Sequence, residues 1–552
     1  MSTAGASSSS AARKGAPGST LAGTRGLIRL ILRRDRVLLP LWVLALALLP
    51  IYTAAGIDQF YSTPAALQEL YGTIVGTPGL LAMLGPVFGA TLGAITVWRA
   101  GLVFTMVGLA SLLTVIRHTR ADEEAGRREL LGATVVGRNA PLTAALLVTC
   151  AADLVLGAVL AAGMVGLGLP AGGSVAYGLS VAAAGWMFAA VGAVAAQLTE
   201  GAGGARGLAL GTLGLAYLLR AAGDTSGSDG GLGWLSWLSP IGWAQQTRAY
   251  ADERWWVFVL VLAWVVVLAA AAHAVLARRD VGAGVLPARL GPATAAPGLR
   301  SPLALAWRLH RGMLLGWTAG LAVMGAVIGS VADSVNDLAR ESSQLKDLLE
   351  QLGGEKALSE AYIAGAMVIF ALAAAGYGIQ ATLRLRAEEE GQRAEPVLAT
   401  SVGRLRWATS HLLFGLLGPA VALAAAGLAE GLVYGLVSGD VGRELPRVLA
   451  GALVQLPAVL VLSGIAMALF GLQPRLTQVS WAALAAFAFL VLLGPLLQLS
   501  QWLLDIAPFI HIPKVPGADV AATPLLWLLA ITVMLAAAGL AGFRRRDLVS
   551  TA

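Results

Sequence analysis

Charged residues are scarce in this sequence. Only 12% of its 552 residues are Asp, Glu, Lys or Arg, and 57% are hydrophobic. A soluble protein would carry about 25% charged residues. The core of a soluble domain could not bury so much apolar surface, so the lipid bilayer must be the solvent for much of the chain. This composition excludes an ordinary soluble protein.

Cysteine and the common catalytic motifs are also missing. Cys150 is the only cysteine, which excludes an intrachain disulfide. The five His residues are dispersed, and neither HExxH nor CxxC occurs, so we expect no metal site. There is no G-x-x-x-x-G-K-[ST] motif and no Gly-Lys dipeptide. We therefore expect the chain to bind no nucleotide or other cofactor by itself.

The apolar runs are long and lack the alternation of barrel strands, which leaves helices as the structure that satisfies the backbone in lipid. The fold class that we predict is an all-α integral membrane protein with twelve transmembrane helices. Segments of about 20 apolar residues predict spans near 37–57, 99–117, 141–168, 174–198, 205–222, 255–276, 313–333, 361–383, 408–437, 447–471, 476–498 and 524–543. The run Leu80–Thr96 is broken by Gly85-Pro86 and Gly89, and we interpret it as re-entrant or interfacial.

The distribution of positive charge predicts the orientation. With twelve spans and both termini in the cytoplasm, 28 of the 38 Lys and Arg residues lie on the cytoplasmic side of the plasma membrane. Residues 1–24, rich in Ser, Ala and Gly, are predicted to be a disordered cytoplasmic tail. The first apolar run is interpreted as an uncleaved span rather than a signal peptide, because so many apolar runs follow it.

One half of the chain resembles the other. Arg120–Arg138 aligns without a gap to Arg386–Arg404, with 11 of 19 residues identical. LSPIGW at 238–243 corresponds to IAPFIH at 506–511, and ARRDVG at 277–282 to RRRDLV at 544–549. These matches at nearly one offset indicate duplication and fusion. We predict two parallel six-helix repeats, 25–276 and 313–552, joined by a cytoplasmic linker at 277–312.

The repeated charged block is predicted to lie in the cytosol, because each charge at mid-bilayer costs about 2.5–3.5 kcal/mol. A helical reading predicts i,i+4 ion pairs between Arg120 and Glu124, Glu123 and Arg127, Glu124 and Arg128, Arg386 and Glu390, and Glu389 and Arg393. One interpretation is a solvated loop that is kept soluble by charge. The recurrence of the block after the second span of each half favours a docking surface for a soluble partner.

A six-span unit with an E-E-x-G-x-x-E-like helix between spans two and three resembles the membrane subunit of type-2 ABC exporters. The doubled form resembles the fused actinobacterial permeases of the tetronasin-resistance, antibiotic-efflux kind. The resemblance implies that each charged block is a coupling helix and that two copies of a separate ABC ATPase bind ATP and Mg. The implied coupling residues are Arg120, Glu123, Glu124, Arg127, Glu129, Arg386, Glu389, Glu390, Arg393 and Glu395. The second block has Gln392 and Pro396 where the first has Gly126 and Leu130, so the two surfaces need not be equivalent.

Aromatic residues and prolines cluster before the last span of each half. Between Gly223 and Trp256, the residues Trp237, Pro240 and Trp243 belong to a stretch that suits the headgroup region. Leu499–Ile512, with Trp502, Pro508 and Phe509, takes the same place in the second half. An interfacial aromatic belt and a re-entrant outer gate both fit this pattern, and the exporter resemblance implies the gate.

Few ionisable residues lie within the predicted spans. Asp153 in the third span and Glu430 in the ninth are candidates for a transport pathway, because carboxylates inside a membrane are costly. Arg99 and Arg220 fall at span ends, where we expect them to snorkel towards water. Abundant Gly and Ala favour a pathway for hydrophobic or amphipathic small molecules. The partners that we expect are the ATPase, membrane lipid and this small-molecule cargo, and we expect no nucleic acid.

Two other functions fit parts of the sequence. A proton-coupled transporter of the major facilitator kind also has twelve spans in two parallel halves, and Ala125–Arg128 resembles the end of its loop motif. The Asp-Arg pair of that motif is missing here. A membrane enzyme is the third reading, but the dispersed His residues form no catalytic set. Transport that survives ATP depletion would favour the facilitator, whereas the ABC exporter requires ATP.

Overall fold

In the computed structural model, the described residues are 20–132, 134–225, 231–280, 282–286, 293–296, 298–332, 355–492, 494, 499–513, 515 and 521–547. Within these ranges the secondary structure is helical, with one isolated bridge between Thr199 and Leu286 and no β-strand. The prediction of an all-α protein is therefore confirmed for this part of the chain.

The chain divides into two compact units, Met1–Leu290 and Gly291–Ala552. The last helix before the division ends at Arg278, and the next begins at Pro302, inside the segment 277–312 that we predicted as a linker. Ser301 caps this next helix by accepting a hydrogen bond from the Ala304 N–H at 3.2 Å, and Pro302 suits the first helical turn. The last part of the predicted linker, 302–312, is thus the start of a helix.

The helices of the first unit are α1 (Thr24–Arg34), α2 (Leu38–Phe60), α3 (Pro64–Val75), α4 (Pro78–Leu84), α5 (Leu92–Arg99), α6 (Leu102–His118), α7 (Arg120–Glu124), α8 (Arg127–Gly132), α9 (Ala140–Gly166), α10 (Ala171–Leu198), α11 (Ala202–Thr225), α12 (Pro240–Gln245) and α13 (Val257–Arg278). A short 3₁₀ helix, Gly233–Leu238, precedes α12.

Ordered structure begins earlier than the predicted end of the N-terminal tail at residue 24. Residues 1–19 lie outside the described ranges, but Thr20 accepts a hydrogen bond from the Asn139 N–H at 3.0 Å and Ala22 accepts one from the Gly137 N–H at 2.8 Å. These backbone hydrogen bonds to residues far along the chain hold the turn before α1 in place.

The second unit contains α14 (Pro302–Val331), α15 (Glu355–Thr382), α16 (Arg384–Glu390), α17 (Ala394–Leu398), α18 (Arg404–Ser438), α19 (Val441–Val454), α20 (Leu456–Leu472), α21 (Val479–Leu492), α22 (Gln501–Leu504) and α23 (Ala522–Arg545). Helix α14 packs along α18, and α20 packs along α23. Two short 3₁₀ helices, Pro474–Leu476 and Pro508–His511, interrupt the loops.

Ten helical segments of the described chain are long and apolar enough to cross a membrane: Leu38–Phe60, Leu102–Glu124, Ala140–Gly166, Ala171–Leu198, Val257–Arg278, Pro302–Val331, Tyr362–Glu390, Arg404–Ser438, Val441–Leu472 and Ala522–Arg545. The prediction of twelve spans is therefore confirmed in part, as ten helices that could cross a membrane within the described residues. The predicted fifth span is a helix, α11, but it carries Arg206, Arg220 and Asp224. The predicted eleventh span forms only Val479–Leu492, and the sequence Gly494-Pro495 follows it.

Helix α10 lies at the centre of the first unit and packs against α6, α9, α11 and α13. It approaches α9 closely where two glycines meet. A Cβ atom on Gly157 would lie 2.3 Å from the carbonyl oxygen of Gly178, and a Cβ on Gly178 would lie 2.2 Å from that of Gly157. Glycine is required at both positions because the two backbones are in contact there, as expected of helices that pack in lipid.

Candidate functional site

The first charged block forms two short helices beyond the apolar helix α6. Helix α7 ends at Glu124, Gly126 takes a left-handed φ of 70°, and α8 begins at Arg127. Arg127 contacts Asp122 at 2.8 Å, and Asp122 also accepts two hydrogen bonds from Arg34 at 2.8 and 3.0 Å. These ion pairs fold the block back on itself and attach it to the end of α1.

Glu123 is the centre of the first block. Its two carboxylate oxygens accept hydrogen bonds from the two terminal nitrogens of Arg279, at 2.8 and 2.7 Å. The Gly282 N–H donates a third at 2.7 Å, and Arg120 lies 3.1 Å away. Burial favours the neutral acid, but the hydrogen bonds from Arg279 and Gly282 outweigh it and lower the pKa of Glu123 to about 2. Glu123 is therefore an anion held inside the protein.

Arg279 is the residue that caps the last helix of the first unit. Its N–H closes α13 on the carbonyl of Val275, and its Nε donates to Gln197 at 2.9 Å. Its own carbonyl accepts a hydrogen bond from Arg138, the residue that ends the charged block. The block is thus fastened to the end of α13 at two points.

The second charged block has the same geometry. Glu389 accepts two hydrogen bonds from Arg546, both at 2.7 Å, and Arg404 donates to the carbonyl of Arg546 at 2.8 Å. Arg546 caps α23 as Arg279 caps α13, with ψ near 155° and 151° respectively. The guanidinium of Arg546 also lies 4.9 and 5.1 Å from the ring centres of Phe470 and Phe543.

The turn between the two short helices also recurs. Gln392, which corresponds to Gly126, takes a φ of 55°. Glu388, which corresponds to Asp122, contacts Arg393 and Arg384 at 2.8 Å each. Burial opposes the charge of Glu388, but the hydrogen bond from Arg393 and the nearby charges lower its pKa. The second block therefore keeps the left-handed turn of the first block although Gln392 stands where the first block has glycine.

All three ion pairs predicted for the first block are wrong. Glu124 accepts from the Ala202 N–H at 2.7 Å instead of pairing with Arg120 or Arg128, and Glu123 binds Arg279 rather than Arg127. The two pairs that cross Gly126 fail because α7 has only five residues and i,i+4 geometry does not continue across that turn. The pair Arg120–Glu124 lies within α7 and fails because Glu124 faces Ala202 while Arg120 contacts Glu123. In the second block the predicted pair Arg386–Glu390 is confirmed at 2.8 Å.

The ten residues predicted to couple to an ATPase fall into two groups. Glu123, Arg120 and Glu389 are buried, at 8%, 1% and 4% exposure, and Arg386 is half-buried. The others are exposed on the blocks: Glu124, Arg127, Glu129, Glu390, Arg393 and Glu395. Only this exposed group is available to another protein.

The predicted outer gate of the first unit is a packed structure. The indole of Trp243 donates to the carbonyl of Trp237 at 2.7 Å, and Trp237 stacks on Trp256 with ring centres 5.6 Å apart. Ser239 donates to the carbonyl of Ala216 at 2.7 Å, and the adjacent Pro240 is buried at the start of α12. The segment therefore packs against α11 and α13, while Trp234, Trp255 and Trp256 remain exposed.

The interrupted run Leu80–Thr96 belongs to the same structure. It forms α4 and α5 with a non-helical stretch between them, as the break at Gly85-Pro86 predicts. The last carbonyls of α4 accept hydrogen bonds from Tyr217, Arg220 and Gln245, at 2.7 to 3.2 Å. Arg220 is 1% exposed, so the prediction that it snorkels to water is wrong: it serves as the C-terminal cap of α4.

In the second unit the corresponding residues are divided between surface and interior. Trp502 is 70% exposed, whereas Phe509 is 3% exposed and Pro508 is buried beside it. Phe509 packs in the main core of the unit, together with Ile512 and Leu528. Trp502 therefore suits contact with lipid, and Pro508 and Phe509 anchor the segment.

The two candidate pathway carboxylates are both 0% exposed. Asp153 accepts a hydrogen bond from Ser111 at 2.7 Å, and its carboxyl fills the space beside Gly185. Glu430 lies on α18 where Gly329 of α14 meets its backbone. Each is enclosed by the helices of its own unit. Among the described residues, no group of three or more His, Cys, Asp or Glu could hold a metal ion.

Four arginines of this site were not singled out from the sequence: Arg138, Arg279, Arg404 and Arg546. The signal was present, because Arg138 and Arg404 recur at the offset of the two glutamates and Arg279 and Arg546 recur at an offset one residue longer. Arginines after a membrane span are, however, also expected from the positive-inside rule alone, so these four did not stand out in the sequence.

These helices define a multi-pass α-helical membrane protein with a charged element outside the apolar helices in each unit. Residues 299–544 match the family described as multidrug efflux system permease Rv1217c, C-terminal domain. The chain is 47% identical over 532 residues to the multidrug efflux system permease protein Rv1217c of Mycobacterium tuberculosis (strain ATCC 25618 / H37Rv), with 96% of each chain covered. The chain therefore belongs to the family of efflux system permeases, and it is a transport subunit rather than an enzyme.

Proposed function

We propose that this chain is the membrane subunit of an ATP-driven exporter that effluxes hydrophobic or amphipathic drugs, with ATP bound and hydrolysed by a separate ATPase. The relative that matches almost the whole chain is named as a multidrug efflux permease, and the chain has no nucleotide-binding motif of its own. The match to an efflux system permease does not favour the major facilitator alternative.

The proposal that the chain couples to an ATPase rests on the two exposed charged surfaces, one on each block. In each unit, a buried glutamate fixes the block, and the exposed residues of that block project from it. The two blocks share the Asp122–Arg127 and Glu388–Arg393 ion pairs and the left-handed turn. Two similar surfaces suit two copies of one ATPase, one for each unit.

We further propose that α11 and α21 complete six spans in each unit, so that both termini lie in the cytoplasm. The charged blocks, Arg279 and Arg546 then lie on the cytoplasmic side, in keeping with the excess of positive charge there. The segments around Trp243 and Phe509 lie at the opposite side and form the outer gate. ATP binding would draw the ATPase copies together, and the blocks would carry that motion to the helices.

The docking test uses the exposed residues, because reversing a buried charge would damage the fold. The permease is co-purified with its ATPase after Glu124→Lys and Glu129→Lys in the first block, or Glu390→Lys and Glu395→Lys in the second. We expect each double variant to lose about half of the bound ATPase, since one of two surfaces remains, and both together to lose nearly all. Asp58→Lys, an exposed reversal at the end of α2, is the control.

Retention of full ATPase binding by the quadruple variant would contradict the proposal that the blocks are docking surfaces.

Energy coupling is tested separately in proteoliposomes. The exporter requires ATP, whereas efflux that needs a proton gradient and survives without ATP would contradict it. Labelling of cysteines placed at the exposed positions Val135 and Ser401 from one side of the membrane tests the shared orientation of the two blocks.

A further inference from the structure

The contact between Glu123 and Arg279 joins two elements that are far apart in sequence, the charged block and the end of the last helix of the unit. The second unit makes the same contact with Glu389 and Arg546. Each is a bidentate pair with both distances between 2.7 and 2.8 Å. Two parallel hydrogen bonds to a planar guanidinium fix orientation as well as distance.

We propose that the pairs Glu123–Arg279 and Glu389–Arg546 are rigid clamps that make each charged block move as one body with the end of the last helix of its unit. These four are positioning residues, and their role in coupling rests on the proposed function. Motion imposed on a block by an ATPase would then reach α13 in the first unit and α23 in the second, besides the helices that adjoin the block in sequence.

A second contact in each unit supports this assignment. Arg138 and Arg404 end the two blocks and donate to the backbone carbonyls of Arg279 and Arg546. Each clamp therefore holds both the beginning and the end of its block. A hinge at the end of α13 or α23 would have to break the ion pair and this hydrogen bond together.

The need for positive charge on the cytoplasmic side does not by itself explain why Arg279 and Arg546 occupy their positions. Arg278 and Arg545 precede the clamp residues directly, are exposed, and would provide the same positive charge on the same side. Arg279, by contrast, is only 7% exposed, and the side chain of Arg546 is 15% exposed. Burying a guanidinium is costly, so a buried, paired arginine beside an exposed one indicates a specific contact.

The experiment uses the full chain reconstituted with its ATPase. Glu389→Gln and Arg546→Gln each remove one charge of the clamp, and the reciprocal exchange Glu389→Arg with Arg546→Glu restores the pair with its polarity reversed. Arg545→Gln is the matched control, because it removes the same charge one residue away. Three quantities are measured: ATPase binding, drug transported per ATP hydrolysed, and a distance within the second unit.

The distance is measured between spin labels at Ala399 and Ala541, both exposed, in a Cys150→Ala background. We expect a narrow distribution that is unchanged by nucleotide in the parent protein and in Arg545→Gln. Glu389→Gln should broaden it and make it depend on nucleotide, with transport per ATP lower by about tenfold. ATPase binding should be retained, because the exposed face of the block is unaltered.

Each result decides between the two proposals. If the parent protein binds no ATPase, the proposed function is wrong, yet the distance measurement still tests whether the block is rigid. If the parent binds ATPase but Glu389→Gln leaves both the distance and the transport ratio unchanged, the clamp is overturned. Should a single variant fail to fold, the reciprocal exchange decides: recovery of transport per ATP to within about threefold supports the clamp, and absence of recovery in a folded protein overturns it.

Discussion

The hydroxyl of Tyr250 lies 2.9 Å from the hydroxyl of Ser174, and its ring lies against the backbone of Gly173. This contact fixes the loop between α12 and α13 on the first turn of α10. Tyr250 takes a φ of 64°, which is unusual for a residue with a side chain. The tyrosine therefore holds the segment between α12 and α13 to the helix at the centre of the first unit.

The first prediction concerns the space that Tyr250 fills. A Cβ atom on Gly173 would lie 2.2 Å from the Tyr250 ring, whereas one on Gly172 would meet no atom within 4 Å. We expect Gly173→Ala to destabilise the protein by about 1–3 kcal/mol, because the ring must leave its place. Gly172→Ala should be neutral or stabilising by about 0.5 kcal/mol. Thermal unfolding in detergent measures both, and equal midpoints would contradict the packing.

The second prediction concerns the left-handed turn of the charged blocks. Gln392 has a φ of 55° where the first block has Gly126. A side chain in this conformation costs roughly 1–2 kcal/mol, so we expect Gln392→Gly to stabilise the second unit by about 1 kcal/mol. Gly126→Gln should destabilise the first unit by a similar amount, since both blocks use the same turn. Protease resistance of the two blocks reports each change, and opposite signs are required.

The third prediction concerns Arg220, the cap of α4. Arg220→Gln removes the donor to the carbonyl of Ala82 and one of the two donors to that of Met83, the other being Tyr217, and it leaves Asp224 without its cation. We expect a loss of about 3 kcal/mol and increased labelling of cysteines placed at 85–91. Arg206→Gln, an exposed change on the same helix, is the control and should have no effect. An equal response of the two variants would mean that Arg220 does not hold the broken segment.

The fourth prediction concerns Asp153, which lies in the interior of the first unit with Ser111 as its hydrogen-bond donor. Within the described ranges no Lys or Arg pairs with Asp153, so burying a carboxylate here is costly and burying an amide of the same shape is less so. We expect Asp153→Asn to keep or raise the thermal midpoint, and Ser111→Ala to lower it by about 1 kcal/mol. A strong fall in midpoint for Asp153→Asn would indicate an unrecognised partner of the carboxylate.

Sequence patterns predicted most of the long helices, since runs of apolar residues have few alternatives in lipid. They also predicted the break near Gly85-Pro86 and the recurrence of the charged block. They failed on the pairing inside the block: Glu123 was assigned to Arg127, four residues away, and its partner is Arg279. Periodicity describes neighbours on one helix, and it contains no information on which distant element packs against that helix.

Helix α11 is a second case in which a contact with a distant element was not predicted from the sequence. Its apolar residues predicted a span with Arg220 near water, but the arginine is buried against the end of α4. The partners of Arg220 are backbone carbonyls at the end of α4, and a backbone carbonyl has no sequence signature. A capped helix end can be recognised only when the two elements are seen together.

Composition and hydropathy by themselves determined that this chain is an α-helical membrane protein, because burial in lipid demands long runs of apolar residues. The repeated block determined where charge is exposed along the chain. Only the tertiary structure decided which of those charges face outwards and which, like Glu389, are enclosed by an arginine some 150 residues away. The reason is that the free energy of a charge depends on its surroundings, and packing creates those surroundings.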